Sequence, residues 1–184
     1  MHESVVDLSP KLIDPTIKVS VLMLAYNHEP YIRQAVESVL IQNVSFDYEI
    51  IIGEDCSTDG TRKCLTELAT QYPQIRLILR PKNIGMHQNV VETLRECRGQ
   101  YVAILEGDDY WTNPNKLALQ VNLMDANPEC VLCGHNVSLD REDGSEGGIT
   151  KYPKGHLPPR LYLEDMFGNY IQTCSMMLRN GVLN

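Results

Sequence analysis

A chain of 184 residues with 16 Lys+Arg against 24 Asp+Glu carries a formal net charge of −8. That length suits one α/β domain, whose folding hides roughly 70% of the surface an unfolded chain exposes. An acidic surface without a Lys/Arg run repels phosphate backbones, which argues against nucleic acid as a partner. No basic segment leads into an apolar one at the N-terminus, and no stretch approaches the roughly 20 apolar residues of a bilayer span. The expected location is therefore the cytoplasm, including the inner face of its membrane, with no transmembrane segment. In such a reducing compartment the six cysteines are expected to be thiols.

After a polar leader over residues 1–17, Val19 to Leu24 is a continuous apolar, β-branched run of strand length, as found in parallel strands buried on both faces. It ends at Ala25-Tyr26-Asn27. Asn27 is expected to cap a helix with Pro30 in its first turn and with Ile32, Ala35, Val36, Val39 and Leu40 at helical spacing. Glu49 to Gly53 reads as strand two and runs into a turn-rich cluster from Glu54 to Gly60. A helix through Cys64, Leu65, Leu68 and Ala69 follows. Ile75 to Leu79 is strand three, and Val90, Val91, Leu94 and Cys97 mark a helix closed by Gly99. Tyr101 to Leu105 is strand four.

Beyond it, Asn113-Pro114 is expected to cap a helix carrying Leu117, Val121 and Met124. Cys130 to His135 reads as strand five. Asp140 to Arg160 is Gly/Pro-rich and charged, the composition of a long loop. Leu161 to Phe167 reads as a short helix and Ile171 to Leu178 as a last strand. Strands alternating with helices across short connections predict right-handed βαβ crossovers and a mostly parallel sheet.

Three clusters carry chemistry, and each follows a strand end, where open α/β sheets bind ligands. In Glu106-Gly107-Asp108-Asp109 three carboxylates crowd together, an arrangement that costs energy until a cation neutralises it. Oxygen-preferring Mg²⁺ or Mn²⁺ suits that role; acids that merely cap a helix are the alternative. In Glu54-Asp55-x-Ser57-x-Asp59, Ser57 and Asp59 are explained as a helix cap, whereas Asp55 is not and suits a nucleoside contact. Tyr26 could stack on a base or simply pack. No G-x-G-x-x-G follows strand one and no G-x-x-x-x-G-K-[ST] occurs anywhere, which disfavours NAD and FAD and excludes a P-loop.

The segments VSVLMLAYNHEPYIRQAVESVLIQ, EIIIGEDCSTDGT, RPKNIGMHQN and GQYVAILEGDDYW stand in the order and spacing of the inverting family 2 glycosyltransferases, which this sequence resembles from about Lys18 to Glu129. The resemblance implies a GT-A fold: a Rossmann-like, mostly parallel sheet flanked by helices. On it, residues 18–135 form the nucleotide-sugar-binding half and 136–184 the start of an incomplete acceptor half. It also implies that Tyr26 stacks on uracil or thymine with Ala25 lining the pocket, that Asp55 accepts a hydrogen bond from the base, and that Asp108 lies near the ribose with Asp109 on the metal. Asn27, Glu29, Asn83 and Gly85 complete the expected donor-binding set, although His87 and Gln88 replace the family's usual Ala-Arg.

The activity implied is metal-assisted transfer of a sugar, with inversion, from a UDP- or dTDP-linked donor to a hydroxyl of a glycan, lipid-linked or protein acceptor. The family's general base lies downstream of the strand resembling Ile171 to Leu178, and the matching residue is expected beyond Asn184. A nucleotide-sugar-binding module without turnover is the second reading. A phosphoacceptor receiver domain is disfavoured because its acid pair should follow strand one.

Other residues are weaker candidates. Glu164 and Asp165 form a late carboxylate pair in what reads as an exposed helix turn. Cys130 and Cys133 are three apart, so on a strand they face opposite ways and suit core thiols better than zinc. His135, which with Asn136 closes strand five, is read as a core histidine with a substrate contact as the alternative, and Trp111 as a sugar platform, a lid for the metal loop, or packing.

Overall fold

The computed structural model describes residues 13–140, 146–150 and 171–181. Its centre is strand β1 (Ile17–Ala25), the apolar run of the sequence, paired in parallel with β2 (Asp47–Glu54) on one side and β4 (Tyr101–Glu106) on the other. Beyond β2 lies β3 (Ile75–Leu79), also parallel. Beyond β4 lie β8 (Met177–Arg179) and then β5 (Leu132–Cys133), and β8 is antiparallel to both. The sheet order is thus β3-β2-β1-β4-β8-β5. The direction of winding changes between β1 and β4, which opens a crevice outside their carboxyl ends.

Because successive side chains alternate across a strand, β1 feeds two apolar layers. Val19, Val21 and Met23 pack with α1 (Ile32–Leu40), α2 (Thr61–Gln71) and α4 (Lys116–Ala126) through Ile32, Val36, Leu65, Leu68, Leu117 and Met124. Leu22, Ile51, Val102 and Leu178 pack on the other face beneath α3 (Met86–Leu94). Both faces of the central strands are covered, as continuous apolar runs require.

At the amino ends of the strands a buried carboxylate joins three segments. Glu49 accepts from Ser20 Oγ at 2.7 Å, from the Arg98 backbone N–H at 2.9 Å, from the Arg98 guanidinium at 2.6 Å and from Arg76 at 3.1 Å. Burial alone would raise the Glu49 carboxyl, but the bonds from Arg98, Ser20 and Arg76 outweigh it and hold the group below its ordinary range.

Several expectations change at this level. Asn27 does not cap α1: its φ is 56°, in the left-handed region that asparagine tolerates, and its side chain accepts from Thr58 instead, leaving Tyr31 at the cap position. Likewise Asn115, not Asn113, precedes α4, while the Asn113 side chain accepts the Asn115 N–H. Helix α3 ends at Leu94, before Cys97. Strand five shrinks to Leu132–Cys133, because β5 is an edge strand that pairs only with β8. Of Ile171 to Leu178, residues Thr173–Ser175 form a 3₁₀ turn and only the end is strand.

The loop expected over Asp140 to Arg160 contains part of a two-stranded antiparallel ribbon, β6 (Val137–Asp140) with β7 (Glu146–Thr150). The helix expected over Leu161 to Phe167, with Glu164 and Asp165, lies outside the described residues, as do the rest of that loop and most of the leader. All six cysteines are free thiols. Among the described residues, no helix is long and apolar enough to cross a membrane.

The Glu49 network predicts a measurable acid sensitivity. Its folded-state pKa lies below the unfolded one, so its stabilisation is complete above the ordinary glutamate value of 4.5 and is lost as pH falls through the lower folded value. Hydrogen bonds to a charged group contribute about 1.5–3 kcal/mol, and Arg76 and Arg98 remain partly solvated without Glu49, so urea unfolding of Glu49→Ala at neutral pH should show a loss of that order. The variant should also lose this component of the wild-type pH dependence.

Candidate donor-binding site

Three loops meet outside the carboxyl ends of β1, β2 and β4. The first two are laced together by side chain to backbone bonds. Asn27 N–H donates to Ser57 Oγ at 3.0 Å while Asn27 Oδ1 accepts from Thr58 N–H at 2.8 Å. Glu29 Oε2 accepts from Gly60 N–H at 2.8 Å while Glu29 N–H donates to Asp59 Oδ2 at 3.1 Å. Asn27 and Glu29 thus hold the walls of the crevice. Glu54, fully buried at the end of β2, accepts from Ser57 N–H at 2.6 Å and pairs with Arg62, whose guanidinium also donates to Arg80 O.

Tyr26 leaves β1 with 43% of its surface exposed, while Ala25 beside it is buried. Asp55 is buried and its two oxygens accept backbone N–H groups across the crevice, from Ile84 at 2.8 Å and Gly85 at 2.9 Å. Asn83 Oδ1 accepts the same Gly85 N–H at 3.0 Å. Asp55 therefore fixes the 83–85 loop, with lone pairs to spare, since a carboxylate offers about four acceptor sites. Gly85 itself sits at φ 82°, ψ 154°, where a side chain is strongly disfavoured.

The third loop carries the acids. Gly107 N–H donates to Leu24 O at 2.9 Å, and a Cβ added there would stand 2.6 Å from His28 Nδ1 and 2.9 Å from Leu24 O. That close approach brings His28 Nε2 to 3.9 Å from Asp108 Oδ2. Asp108 and Asp109 are exposed, whereas Glu106 is partly buried and its Oε2 has no hydrogen-bond partner among the described residues. Desolvation, and then repulsion from Asp109 and Asp108, push the Glu106 carboxyl up despite a hydrogen bond from Thr173. Asp109 is raised by desolvation and by Asp108, against a hydrogen bond from the Cys174 thiol and the proximity of His28.

This donor set fits a divalent cation. Three carboxylates at one strand end repel one another, and one oxygen is buried without a partner. The chemistry is all oxygen, which suits Mg²⁺ or Mn²⁺. Among the described residues no group of three or more His, Cys, Asp or Glu is arranged to hold a metal by itself, so the substrate would have to supply the remaining ligands. Such cations are commonly held by one or two carboxylates together with substrate phosphates.

Glu54 and Glu106 stand in the acidic clusters read from the sequence, whereas His28 was given no role there. His28 had a signal in its place two residues after Tyr26. His135 is exposed at the surface rather than in the core, and Trp111 is packed, 5% exposed, rather than presented to solvent. Cys130 and Cys133 do not pair: Cys133 is buried, and Cys130 Sγ faces Leu132 O at 3.1 Å.

The profile of glycosyl transferase family 2 matches residues 20–182. An uncharacterized protein of Mycobacterium tuberculosis is 40% identical over 163 residues, covering 88% of this chain and 46% of its own length. Among solved structures, a mannosyltransferase of Pyrobaculum calidifontis in complex with GDP-Man and Mn²⁺ superposes with a TM-score of 0.58 at 25% identity, over 73% of this chain and 39% of that one. S. aureus TarS in complex with UDP-GlcNAc superposes with a TM-score of 0.63 at 21% identity, over 91% of this chain and 46% of that one, a likeness of fold. The chain thus spans about half the length of the relatives it matches, or less.

If Asp55 anchors the 83–85 loop, Asp55→Ala should release it. Hydrogen bonds to charged groups contribute about 1.5–3 kcal/mol, so native-state amide exchange at Ile84 and Gly85 should accelerate correspondingly while the amides of β1 keep their protection.

Proposed function

The chain belongs to glycosyl transferase family 2, and from that premise we propose that it binds a UDP- or dTDP-linked sugar and serves transfer of that sugar, with inversion, to a hydroxyl of a glycan, lipid-linked or protein acceptor. The observation that carries this reading is the convergence of Tyr26, Asp55 and the Asp108-Asp109 pair on one crevice at the β1/β4 switch point.

In this reading the exposed Tyr26 ring supplies a face for the base, and Ala25 leaves room beside it. Asp55 uses its remaining lone pairs to accept from the base while holding the 83–85 loop. Asn27 and Glu29 act through the backbone, by fixing the two loops before the donor arrives, which lowers the ordering cost of binding. Asp108 faces the ribose, and Asp109 would hold Mn²⁺ or Mg²⁺. When bound, the cation supplies Lewis-acid stabilisation for charge developing on the leaving diphosphate. The Gly85 end of α3 and the Asn83 turn stand on the rim where phosphates would lie. Displacement from the face opposite the nucleotide is what makes transfer inverting, and the acceptor hydroxyl must lose its proton to a carboxylate within hydrogen-bond reach.

Calorimetric titration with UDP, dTDP and GDP, each in Mn²⁺ and in EDTA, tests the donor assignment. UDP or dTDP should bind better than GDP, and better in Mn²⁺ than in EDTA. Equal affinity for all three would refute the base reading, and equal affinity with and without Mn²⁺ would refute the metal reading.

Two variants separate the contributions. Tyr26→Ala should weaken binding of UDP by about 1–3 kcal/mol, the worth of one base–aromatic stack, without lowering the melting temperature, since the ring is exposed. Asp109→Asn should abolish the Mn²⁺-dependent increment and leave the EDTA affinity unchanged.

A further inference from the structure

Lys116 is a buried charge that neither the donor site nor the Glu49 network uses. It opens α4 with 4% of its surface exposed, and among the described residues no carboxylate pairs with it. Lysine is rarely buried without a partner, because desolvating an ammonium is costly. Burial pushes this amine down to about 7, with only the nearby Cys133 and Cys174 opposing. A residue so unfavourable to the fold calls for another reason to be there.

Its contacts form a closed circuit. Lys116 Nζ stands 3.8 Å from the centroid of the Trp111 ring and donates to Gln120 Oε1 at 2.7 Å. Trp111 Nε1 donates to Cys174 O at 2.8 Å, and its backbone N–H donates to Ser38 Oγ at 3.1 Å. Gln120 Nε2 donates to Ser175 O at 2.9 Å. Both arms starting at Lys116 therefore end on the Thr173–Ser175 turn. From that turn the Cys174 thiol reaches the Asp109 carboxylate and Thr173 reaches Glu106.

We propose that Lys116 is a positioning residue for the phosphate end of the donor site: it clamps Trp111 and the 173–175 turn, and so sets where the Asp109 carboxylate stands. The inference rests on the donor reading given above. The Lys116 amine over the indole face restrains the ring that follows the acidic loop, most strongly when protonated, and its hydrogen bond to Gln120 fixes the side chain that holds the turn carrying Cys174. Groups that orient the ligands of a metal, without touching it, characteristically control its affinity.

The test uses the full chain and Lys116→Met and Lys116→Arg variants, with UDP as probe in Mn²⁺ and in EDTA. Trp111 is the chain's only tryptophan, so its emission reports the clamp directly. Replacing a buried charge by an apolar side chain of similar volume is often neutral or stabilising, so Lys116→Met should melt no lower than wild type. It should bind UDP normally in EDTA, lose about 10–100-fold of the Mn²⁺-supported affinity, and show an altered Trp111 emission. Lys116→Arg, which keeps a cation over the ring, should recover most of that affinity.

Wild-type affinity of Lys116→Met in Mn²⁺, or an equal loss in Mn²⁺ and EDTA, would overturn the proposal. A wild-type chain whose UDP affinity ignores Mn²⁺ would overturn the metal reading itself, and this inference with it. The two failures are therefore told apart by the wild-type titration.

Discussion

Repulsion among Glu106, Asp108 and Asp109 at the end of β4 is the constraint around which the carboxyl side of the sheet is arranged. The strand is buried on both faces, so its end cannot splay outward to separate the charges. Gly107 presses the loop against Leu24 O and His28, which brings an imidazole to one side of the acids. The Thr173–Ser175 turn brings a hydroxyl and a thiol to the other. Burial first, and then the neighbouring carboxylates, still leave Glu106 and Asp109 shifted upward. The loop is thus held together by hydrogen bonds that tolerate the repulsion without removing it, a state a divalent cation would relieve.

The topology explains why the acids stand beside a nucleoside-sized crevice. β1 is flanked by β2 and β4, so the chain leaves the sheet in opposite lateral directions from neighbouring strand ends. The gap between those exits is walled by the loops after β1 and β2. Each uses its own polar side chains on the other's backbone: Asn27 on Thr58, Ser57 on Asn27, Glu29 on Gly60, Asp59 on Glu29. Four such bonds make one wall out of two loops before any ligand binds. The amino ends of the strands do a different task, with Glu49 gathering Arg76, Arg98 and Ser20 where no ligand is needed.

How much of this was legible in the sequence follows from how local each signal is. The apolar run of β1, the alternation of strands with helices, and the limits of β3 depend on residues near in sequence, and the structure agrees with them. The placement of the acids at strand ends was legible for the same reason. Asn27 was misread because an asparagine before a helix pattern suits a cap, whereas a partner 31 residues away, Thr58, claimed its side chain. Asp55 was expected to serve a base, and its bonds to Ile84 and Gly85 are long-range contacts that spacing cannot reveal. β7 was hidden because Gly147 and Gly148 interrupt any apolar alternation, and β6 because a four-residue run, Val137–Asp140, is too short to stand out beside a charged, glycine-rich stretch. Lys116 was invisible for the opposite reason: an isolated lysine at the start of a helix reads as solvated until the packing of Trp111 encloses it.

A crystal structure of the chain with UDP and Mn²⁺ tests the central claim most directly, because it locates the base and the cation independently. The account predicts the uracil ring against the Tyr26 face, with Mn²⁺ between Asp109 and the diphosphate, and the loops of residues 26–29 and 55–60 unmoved. Uracil density away from Tyr26, or a cation bound without contact to Asp109, would contradict it.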